Sequence, residues 1–503
     1  MRYGHTILPA ILMGAILLVG CGETIPNDPA RNVQIAGCWT GGPVRDGTVA
    51  ETESQLRLMS LRPDGTLALT VIHELGPRSR VWRYDFDVTC RGNDISWLAH
   101  EGTVSADGTT MHVTKNWKGE ESRWMFVRAR EFDGFMTRLM ATEARGYDYE
   151  IPADAGDGWP CAHMESAGFN AAEMIRLMEE IRSGDHGDIH GFLICRQGRL
   201  VLEEYFALEG ALQGPFVREV FRKRVHHLAS ITKAVTSVLT GIALDLGLLE
   251  GVRQPVFSLF PEYAHLNTGD KSRMELRHLL TMTAGLEWEQ FRYPFSDGRN
   301  NAGEMYRTDD VPGYVLSRPL AATPGDDFQY SNGVATLMGE VLGRASGVDV
   351  AEFARVNLFD PLGISDTFWS RYPDGTLDTD GGLALRPRDL ARIGQLLLND
   401  GRWADREVIS PGWIEESTRR RLNFRRGRGY GYFWNEWLLD AGDTSERVIF
   451  APGDGGQFLA VFPAREMVVV ITAGNYGQDP TSTYKTLFED HILPALTAGT
   501  GPS

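Results

Sequence analysis

Ser230 and Lys233 are the pair of residues in this sequence best suited to covalent chemistry. A serine hydroxyl attacks a carbonyl only when a neighbouring group takes its proton, and a lysine can do so where burial disfavours its charged form. Apolar residues recur behind Ser230 at helical spacing until Gly247, so Ser230 should begin a buried helix. Lys233 then shares its face, and a backbone N–H at the helix start can stabilise an oxyanion. This pattern predicts acyl transfer, although alone it also fits a capped helix with an exposed lysine.

A second motif, Tyr330-Ser331-Asn332, lies a hundred residues further on and follows Thr323-Pro324-Gly325. Tyr-x-Asn alone is more often a turn, but with Ser-x-x-Lys it makes the chain resemble the serine β-lactamase-like superfamily. That superfamily includes class C β-lactamases, DD-peptidases, esterases and 6-aminohexanoate-dimer hydrolases. Three further segments match it, and the resemblance covers roughly residues 165 to 495: Leu276–Leu286, Phe359–Ile364 and Gly381–Leu397.

The resemblance implies roles for the residues of both motifs. Ser230 would be the nucleophile, Lys233 its proton partner and Tyr330 the general base, while Asn332 would hydrogen-bond Lys233 and the substrate. The implied fold is α/β and β-lactamase-like, an antiparallel sheet flanked by helices, with a helical insert that carries Tyr330. This chemistry needs no cofactor and no metal.

The third motif of the family is altered in this chain. Members with penicillin-type activity carry Lys-Thr-Gly or His-x-Gly on a strand beside the site, and the cation meets the substrate carboxylate. Here the strand reads Ala451-Pro452-Gly453-Asp454, so the cation is missing and Asp454 would repel an anion. By analogy the backbone N–H of Asp454 is the second oxyanion donor. We therefore expect an ester or amide substrate and little or no β-lactamase activity.

Tyr430–Trp434 resembles the Tyr-Gly-Tyr-x-Trp stretch of the nylon-oligomer hydrolase and esterase branch. These aromatic residues, Trp434 among them, can wall an acyl pocket or form strand core, and the sequence does not separate the two.

The elements that must position these motifs fall in residues 166–500. We expect helices over Ala171–Ile181 and Ser482–Leu496, a hairpin of Gly191–Cys195 and Leu200–Phe206, and strands near 448–474. Before them, residues 36–130 should form a small all-β antiparallel sandwich or barrel, with residues 131–165 as linker. The expected strands are Gln55–Leu61, Leu67–His73, Val81–Val88, Ile95–His100, Met111–Asn116 and Arg123–Arg128.

The first twenty residues have the character of a lipoprotein signal peptide. Arg2 precedes an apolar stretch that ends in Leu18-Val19-Gly20-Cys21, which resembles a lipobox with Cys21 as the lipidated residue. An ordinary signal peptide or an uncleaved anchor is the alternative. Residues 21–35 would be a tether. We expect an exported protein anchored through Cys21 and facing the periplasm, and Gly22 favours the outer membrane.

Export would place the remaining cysteines in an oxidising compartment. The simplest pairing joins Cys38 to Cys90 and Cys161 to Cys195. Four unpaired thiols are equally compatible with the sequence, because spacing does not define geometry.

Charge and the remaining histidines exclude other classes of function. A net charge of −17 argues against nucleic acid as a partner. Asp185, His186, Asp188 and His190 include possible metal ligands, but no third distant cluster is visible, so we predict no metal site. His226, His227 and His278 are expected to pack or hydrogen-bond. A cell-envelope binding or sensor protein with little turnover, and a DD-peptidase, remain as alternatives to an ester or amide hydrolase. The sequence leaves the oligomeric state open.

Overall fold

The computed structural model describes residues 147–206, 221–424, 427–441, 444–477 and 481–496, and the backbone of strands between residues 37 and 128. The chain divides into two compact units with the boundary between Gly146 and Tyr147. The predicted signal peptide, the predicted tether and Cys21 lie outside the described residues. Among those described, no helix is long and apolar enough to cross a bilayer.

The N-terminal unit is an antiparallel β structure whose third to ninth strands follow one another in chain order, while the short second strand pairs with the first. The first strand pairs with the third and also with the ninth, which closes the sheet into a barrel. Cys38 and Cys90 lie on β1 and β5, and their side chains are outside the described part. The strands are β1 Gly37–Arg45, β2 Thr48–Val49, β3 Gln55–Leu61, β4 Leu67–His73, β5 Asp85–Arg91, β6 Asp94–Trp97, β7 His100–Val104, β8 Thr110–Trp117 and β9 Glu120–Arg128.

The second unit contains an antiparallel sheet of eight strands, which are β10 Ile189–Arg196, β11 Arg199–Tyr205, β17 Leu422–Asn423, β18 Gly429–Tyr430, β19 Asn435–Ala441, β20 Thr444–Gly453, β21 Gln457–Phe462 and β22 Met467–Ala473. Their order in the sheet is β11-β10-β22-β21-β20-β19-β18-β17. The hairpin β10–β11 turns at Gln197 and Gly198, which both adopt positive φ, and its first strand pairs with β22.

Short strands outside this sheet connect the motif segments. β12 (His226–His227) and β13 (Thr367–Trp369) both pair with β14 (Leu383–Leu385), while β15 (Arg402–Trp403) pairs with β16 (Arg406–Glu407). β12 thus fastens the segment before Ser230 to the segment that follows Asp380.

Helices cover both faces of the large sheet. On one face the first and last helical segments of the unit contribute to a continuous apolar core with the strands. On the other face the helix Pro387–Leu398 packs closely against β22. A Cβ atom added at Gly394 of this helix would lie 2.6 Å from the side chain of Val468. The helices are α1 Ala171–Ser183, α2 Ile231–Asp245, α3 Leu276–Leu280, α4 Asn301–Met305, α5 Val311–Ser317, α6 Asn332–Ser346, α7 Val350–Ala354, α8 Pro387–Leu398, α9 Pro411–Thr418, α10 Thr481–Leu487 and α11 Leu493–Ala495, with π-helical turns at Arg355–Phe359 and Phe488–Ile492 and 3₁₀ turns at Met164–Ala167, Val256–Leu259, Pro261–Leu266, Gly269–Arg273 and Pro463–Arg465.

An antiparallel sheet flanked by helices, with a mainly helical insert between β12 and β13, confirms the predicted α/β class. The predicted linker differs in part, because residues 147–165 pack onto the second unit. Tyr147 is buried there and donates to Glu204 at 2.7 Å, and Tyr149 donates to the carbonyl oxygen of Val201 at 2.9 Å. These two tyrosines attach residues 147–165 to the second unit, although the Pro and Gly content of this segment predicted a linker.

The suggested pairing of Cys161 with Cys195 is wrong in this structure, where both are free thiols. Leu200 on β11 separates them, since it forms a bridge with Cys161 on one side and pairs with Cys195 on the other. Two strand spacings amount to about 10 Å, beyond the roughly 7 Å limit for the Cα atoms of a disulfide.

Candidate active site

Ser230 lies at the N-cap position of α2, directly after a residue with a left-handed backbone. Ala229 has φ +48°, a conformation that costs free energy for a residue with a Cβ. Neighbouring hydrogen bonds maintain it, since Leu228 N–H donates to Leu383 at 2.9 Å and the Thr232 hydroxyl donates to the Ala229 carbonyl at 2.7 Å. Every residue from Ile231 to Ala243 is buried, so the helix is fixed in the core. The turn therefore presents Ser230 from a rigid support.

The structure brings the three predicted catalytic side chains together. Lys233 Nζ donates to Ser230 Oγ at 3.0 Å, and the Tyr330 hydroxyl donates to the same oxygen at 2.8 Å. Lys233 Nζ also lies 4.9 Å from the centroid of the Tyr330 ring. Lys233 is only 2% exposed, whereas Ser230 and Tyr330 are partly exposed. A nucleophile in contact with two groups that can carry its proton is the arrangement that acyl transfer requires.

Asp380 is a site residue that the sequence reasoning missed. Lys233 donates to its carbonyl oxygen at 2.6 Å, and its carboxylate lies 3.9 Å from the same Nζ. The Asn332–Lys233 hydrogen bond that the family resemblance implied is not among those of the described residues. The Asn332 side chain instead accepts from Gln290 at 3.3 Å, and its backbone N–H donates to the Gln290 side chain at 2.9 Å.

Asp378 and Asp380 form a buried carboxyl pair behind Lys233. Tyr306 donates to Asp378 at 2.8 Å, while Tyr372 and Thr336 donate to Asp380. Burial, followed by the adjacent charge of Asp380, raises the pKa of Asp378 to about 8. Asp378 therefore retains its proton at neutral pH. The available signal in the sequence was the position of both acidic residues directly before Gly381–Leu397, one of the segments that match the family.

Gly453 brings the end of β20 against the nucleophile turn. A Cβ at this position would lie 2.4 Å from the carbonyl oxygen of Leu228 and 3.2 Å from the Cβ of Ala229. Among the described residues, the backbone N–H of Ser230 has no acceptor. The Asp454 carboxylate accepts from the N–H groups of Gly455 at 3.0 Å and Gly477 at 3.5 Å. The altered third motif thus lies beside Ser230 and brings no cation to it.

The aromatic stretch before β19 packs mainly in the core. Trp434 is 1% exposed, and Tyr430 and Tyr432 are also buried. Such a buried Trp434 presents no surface to a ligand, which favours the strand-core alternative for that residue. Tyr430 is close enough to Tyr330 for their charges to interact, and burial raises its pKa well above the ordinary tyrosine value.

Phe291 is an exposed aromatic residue beside the motif tyrosine. Its ring centroid lies 5.8 Å from that of Tyr330, and 64% of the residue is exposed. The ring is therefore placed where it can meet an apolar part of a substrate. One phenylalanine in a loop gives no periodic signal, so the sequence did not indicate this residue.

The histidines near the motifs have structural contacts. His278 Nδ1 accepts from the backbone N–H of Glu275 at 3.1 Å and completes the start of α3. His226 lies 2.9 Å from His190 and 3.1 Å from the carbonyl oxygen of His227. Burial, together with neighbouring His190, lowers the pKa of His226 to about 3, so it is neutral at physiological pH.

Comparisons with known proteins identify the family of this chain. The profile of the family described as Beta-lactamase matches residues 180–489. A 6-aminohexanoate-dimer hydrolase from Paenarthrobacter ureafaciens is 24% identical over 374 residues, which cover 69% of this chain and 84% of that protein. A lovastatin esterase from Penicillium rubens is 26% identical over 245 residues, which cover 43% of this chain and 58% of the esterase.

Among solved structures, a penicillin-binding protein homologue from Caulobacter crescentus superposes with a TM-score of 0.52 at 18% identity. The match covers 69% of this chain and all of that structure, and it supports the fold. The family profile spans more than half of the sequence. This protein therefore belongs to the beta-lactamase family of serine hydrolases, whose members similar to this chain include amide and ester hydrolases.

Proposed function

We propose that this protein is a serine hydrolase that forms an acyl-enzyme at Ser230 and hydrolyses an ester or an amide. The observation that carries the proposal is the contact of Ser230 Oγ with both Lys233 Nζ and the Tyr330 hydroxyl, at 3.0 and 2.8 Å. No other group is needed to move the serine proton.

The reaction has two steps. Ser230 Oγ attacks the substrate carbonyl while its proton passes to the Tyr330–Lys233 pair, and the N–H groups of Ser230 and Asp454 stabilise the oxyanion. Collapse of the tetrahedral intermediate transfers the proton to the leaving alcohol or amine. A water molecule, deprotonated by Tyr330, then attacks the acyl-enzyme, releases the acid and restores the Ser230 hydroxyl.

Two features of the site walls support this substrate class. Ala451 is 1% exposed and lies two residues before Gly453 on β20, so that face offers no cation to a substrate carboxylate. Phe291 offers an apolar surface beside Tyr330. These features favour an apolar acyl or amide group over a penicillin-type substrate. Phe291→Ala should therefore raise KM with little change in thermal stability, and Leu438→Ala, an exposed apolar residue elsewhere, serves as its control.

The decisive experiment is fluorophosphonate labelling of the chain without residues 1–21, with turnover of short-chain aryl esters, aryl amides and a chromogenic cephalosporin. Ser230→Ala is the control. We expect labelling and ester or amide turnover, both lost in the control, and little cephalosporin hydrolysis. Absence of labelling at Ser230 would overturn the proposal.

A second candidate is a cell-envelope binding protein that acylates but hardly turns over, and the altered third motif beside Ser230 favours it. A long-lived Ser230 adduct without released product would support this candidate. A DD-peptidase is the third, and release of terminal D-Ala from muropeptides would identify it. Both are measured with the same preparation.

We further propose that the protein is exported and anchored in the outer membrane through lipid on Cys21, as Leu18-Val19-Gly20-Cys21 suggests. Palmitate labelling in cells, lost in Cys21→Ser together with membrane association, is the expected result. A soluble, unlabelled protein with an intact Cys21 would contradict it.

A further inference from the structure

Glu180, His186 and His491 form a side-chain cluster that shares no residue with the candidate active site. Glu180 lies on α1, His186 in the following loop and His491 in the π-helical turn near the end of the unit. Glu180 Oε2 is 3.2 Å from His186 Nε2 and 3.5 Å from His491 Nδ1. The three atoms all lie within 4.8 Å of one another.

The two distances to Glu180 Oε2 match those between ligands of a tetrahedral metal ion. Zinc–nitrogen and zinc–oxygen bonds of about 2.0 Å place two ligand atoms about 3.3 Å apart. The two histidine rings stand perpendicular, with centroids 5.4 Å apart, so both nitrogens approach one carboxylate oxygen without stacking. The geometry of a metal site is thus present with small side-chain adjustments.

The second observation is the environment of the His491 ring nitrogen Nδ1. His491 Nδ1 is buried, and apart from its 3.5 Å approach to Glu180 Oε2 it makes no hydrogen bond in the described part of the chain. A buried polar atom without a partner is costly, and a bound ion would satisfy it. The side chains of His186, His491 and Glu180 are 12, 16 and 30% exposed, which leaves an entry path for an ion. Arg176 Nε lies 3.8 Å from Glu180 Oε1, so this ion pair does not involve Oε2, the oxygen that faces the two histidines.

We propose that Glu180, His186 and His491 bind one divalent transition-metal ion, with Zn²⁺ as the preferred metal and water at the fourth position. Two imidazoles and one carboxylate favour zinc and its late first-row neighbours over Mg²⁺ or Ca²⁺, which take oxygen ligands. Tertiary structure supplies the distant ligands that the Asp185–His190 stretch alone does not contain.

The consequence of binding is a link between the first and last helical segments of the hydrolase unit. The two segments already share the apolar core under the sheet. An ion bound only in the folded state stabilises it by mass action, so melting temperature should rise with Zn²⁺ concentration. The metal takes no part in acyl transfer, because none of its ligands contacts Ser230, Lys233 or Tyr330.

The test is calorimetric titration of the EDTA-dialysed full chain with ZnCl₂, with Co²⁺ as a spectroscopic substitute. One ion per chain and visible bands of four-coordinate Co²⁺ are expected. Glu180→Gln and His186→Ala should each weaken binding by about 100-fold or more, since even outer-shell changes cost 10–100-fold. The zinc-dependent rise in melting temperature should disappear in both variants.

Two matched histidine variants serve as controls. His163→Ala removes a more exposed histidine beside Glu165, and His190→Ala removes the histidine that contacts His226. Both should bind zinc like the parent chain, and fluorophosphonate labelling of Ser230 reports that every variant is folded. Unchanged binding in Glu180→Gln and His186→Ala, or no binding by the parent chain, would overturn the proposal and leave a hydrogen-bonded cluster.

Discussion

Lys233 Nζ lies between Ser230 and Asp380: it donates to the serine oxygen at 3.0 Å and to the Asp380 carbonyl oxygen at 2.6 Å. The carbonyl fixes the direction of the amine, and the carboxylate 3.9 Å away supplies negative charge. The position and the charge balance of the lysine therefore depend on a residue 147 positions further along the chain.

Asp380→Asn should lower kcat/KM by about tenfold or more. The reason is that Lys233 loses the carboxylate 3.9 Å from its Nζ, while its hydrogen bond to the main-chain carbonyl remains. Steady-state kinetics check this. Glu407→Gln, at an exposed position, is the control. Unchanged kcat/KM in Asp380→Asn would show that the carboxylate does not act on Lys233.

Lys233→Met and Tyr330→Phe should each reduce kcat/KM by about 10²–10⁴-fold, because both groups handle the same proton. The double variant should be little worse than the worse single variant, as expected for residues that act as a unit. Tyr314→Phe, at a half-buried tyrosine outside the site, should retain activity. Additive losses would argue for separate roles.

Gly453→Ala should lower activity strongly and stability by about 1–3 kcal/mol, because the added methyl would meet the Leu228 carbonyl oxygen at 2.4 Å. The nucleophile turn must then move. Gly412→Ala, at a helical position where a Cβ meets nothing within 4 Å, should leave activity unchanged and should not lower the melting temperature. Kinetics and thermal unfolding of the two variants provide the comparison, and wild-type turnover by Gly453→Ala would contradict it.

Asp378 gives the unfolding free energy a specific pH dependence. Its pKa is raised in the folded state from 3.8 to about 8, so the native protein holds more protons than the unfolded chain between those values. The contribution of Asp378 to stability is present below about pH 4 and is lost as pH rises through about 8. Asp378→Asn should flatten this slope, measured by urea unfolding at several pH values. Exposed Asp405→Asn should leave it unchanged.

Arg388 illustrates a family-like segment whose role is structural. It donates to both carboxylate oxygens of buried Glu203, at 2.7 and 2.8 Å, and to Asp157 at 2.9 Å. Arg388→Met should cost about 1–3 kcal/mol, because Glu203 would keep its ion pair with Arg222 but lose two buried hydrogen bonds. Arg402→Met, in an exposed ion pair, should cost less than about 1 kcal/mol. Urea unfolding measures both, and equal costs would contradict the assignment.

The helix behind Ser230 shows how far pattern reasoning reaches. Its apolar run predicted a buried helix ended by Gly247, and the structure has a helix over Ile231–Asp245 with Gly247 in the left-handed region. Such local signals are strong because helical periodicity marks the buried face of a helix and a glycine with positive φ ends it. The hairpin around Gln197 and Gly198 was also predictable from local residues, because glycine favours the positive φ that a tight turn requires.

The site beyond Ser230, Lys233 and Tyr330 was less predictable. Asp380 and Gln290 carry no motif, and their contacts with Lys233 and Asn332 span 147 and 42 residues. The family resemblance predicted a contact of Asn332 with Lys233, but the side-chain oxygen of Asn332 accepts a hydrogen bond from Gln290 instead. The sequence did not distinguish a pocket position from a core position for Trp434, whereas its burial in the structure favours the core.

The sequence by itself determined the nucleophile helix and the order of the motifs, because these depend on local periodicity and on residue types at fixed spacing. The α/β class followed from the family resemblance that the motifs carry. Only the tertiary structure decided which distant groups meet. It placed Asp380 behind Lys233, Leu200 between Cys161 and Cys195, and His491 beside His186. The physical reason is that strand pairing and core packing set such distances, and neither is encoded in the spacing of the residues that they bring together.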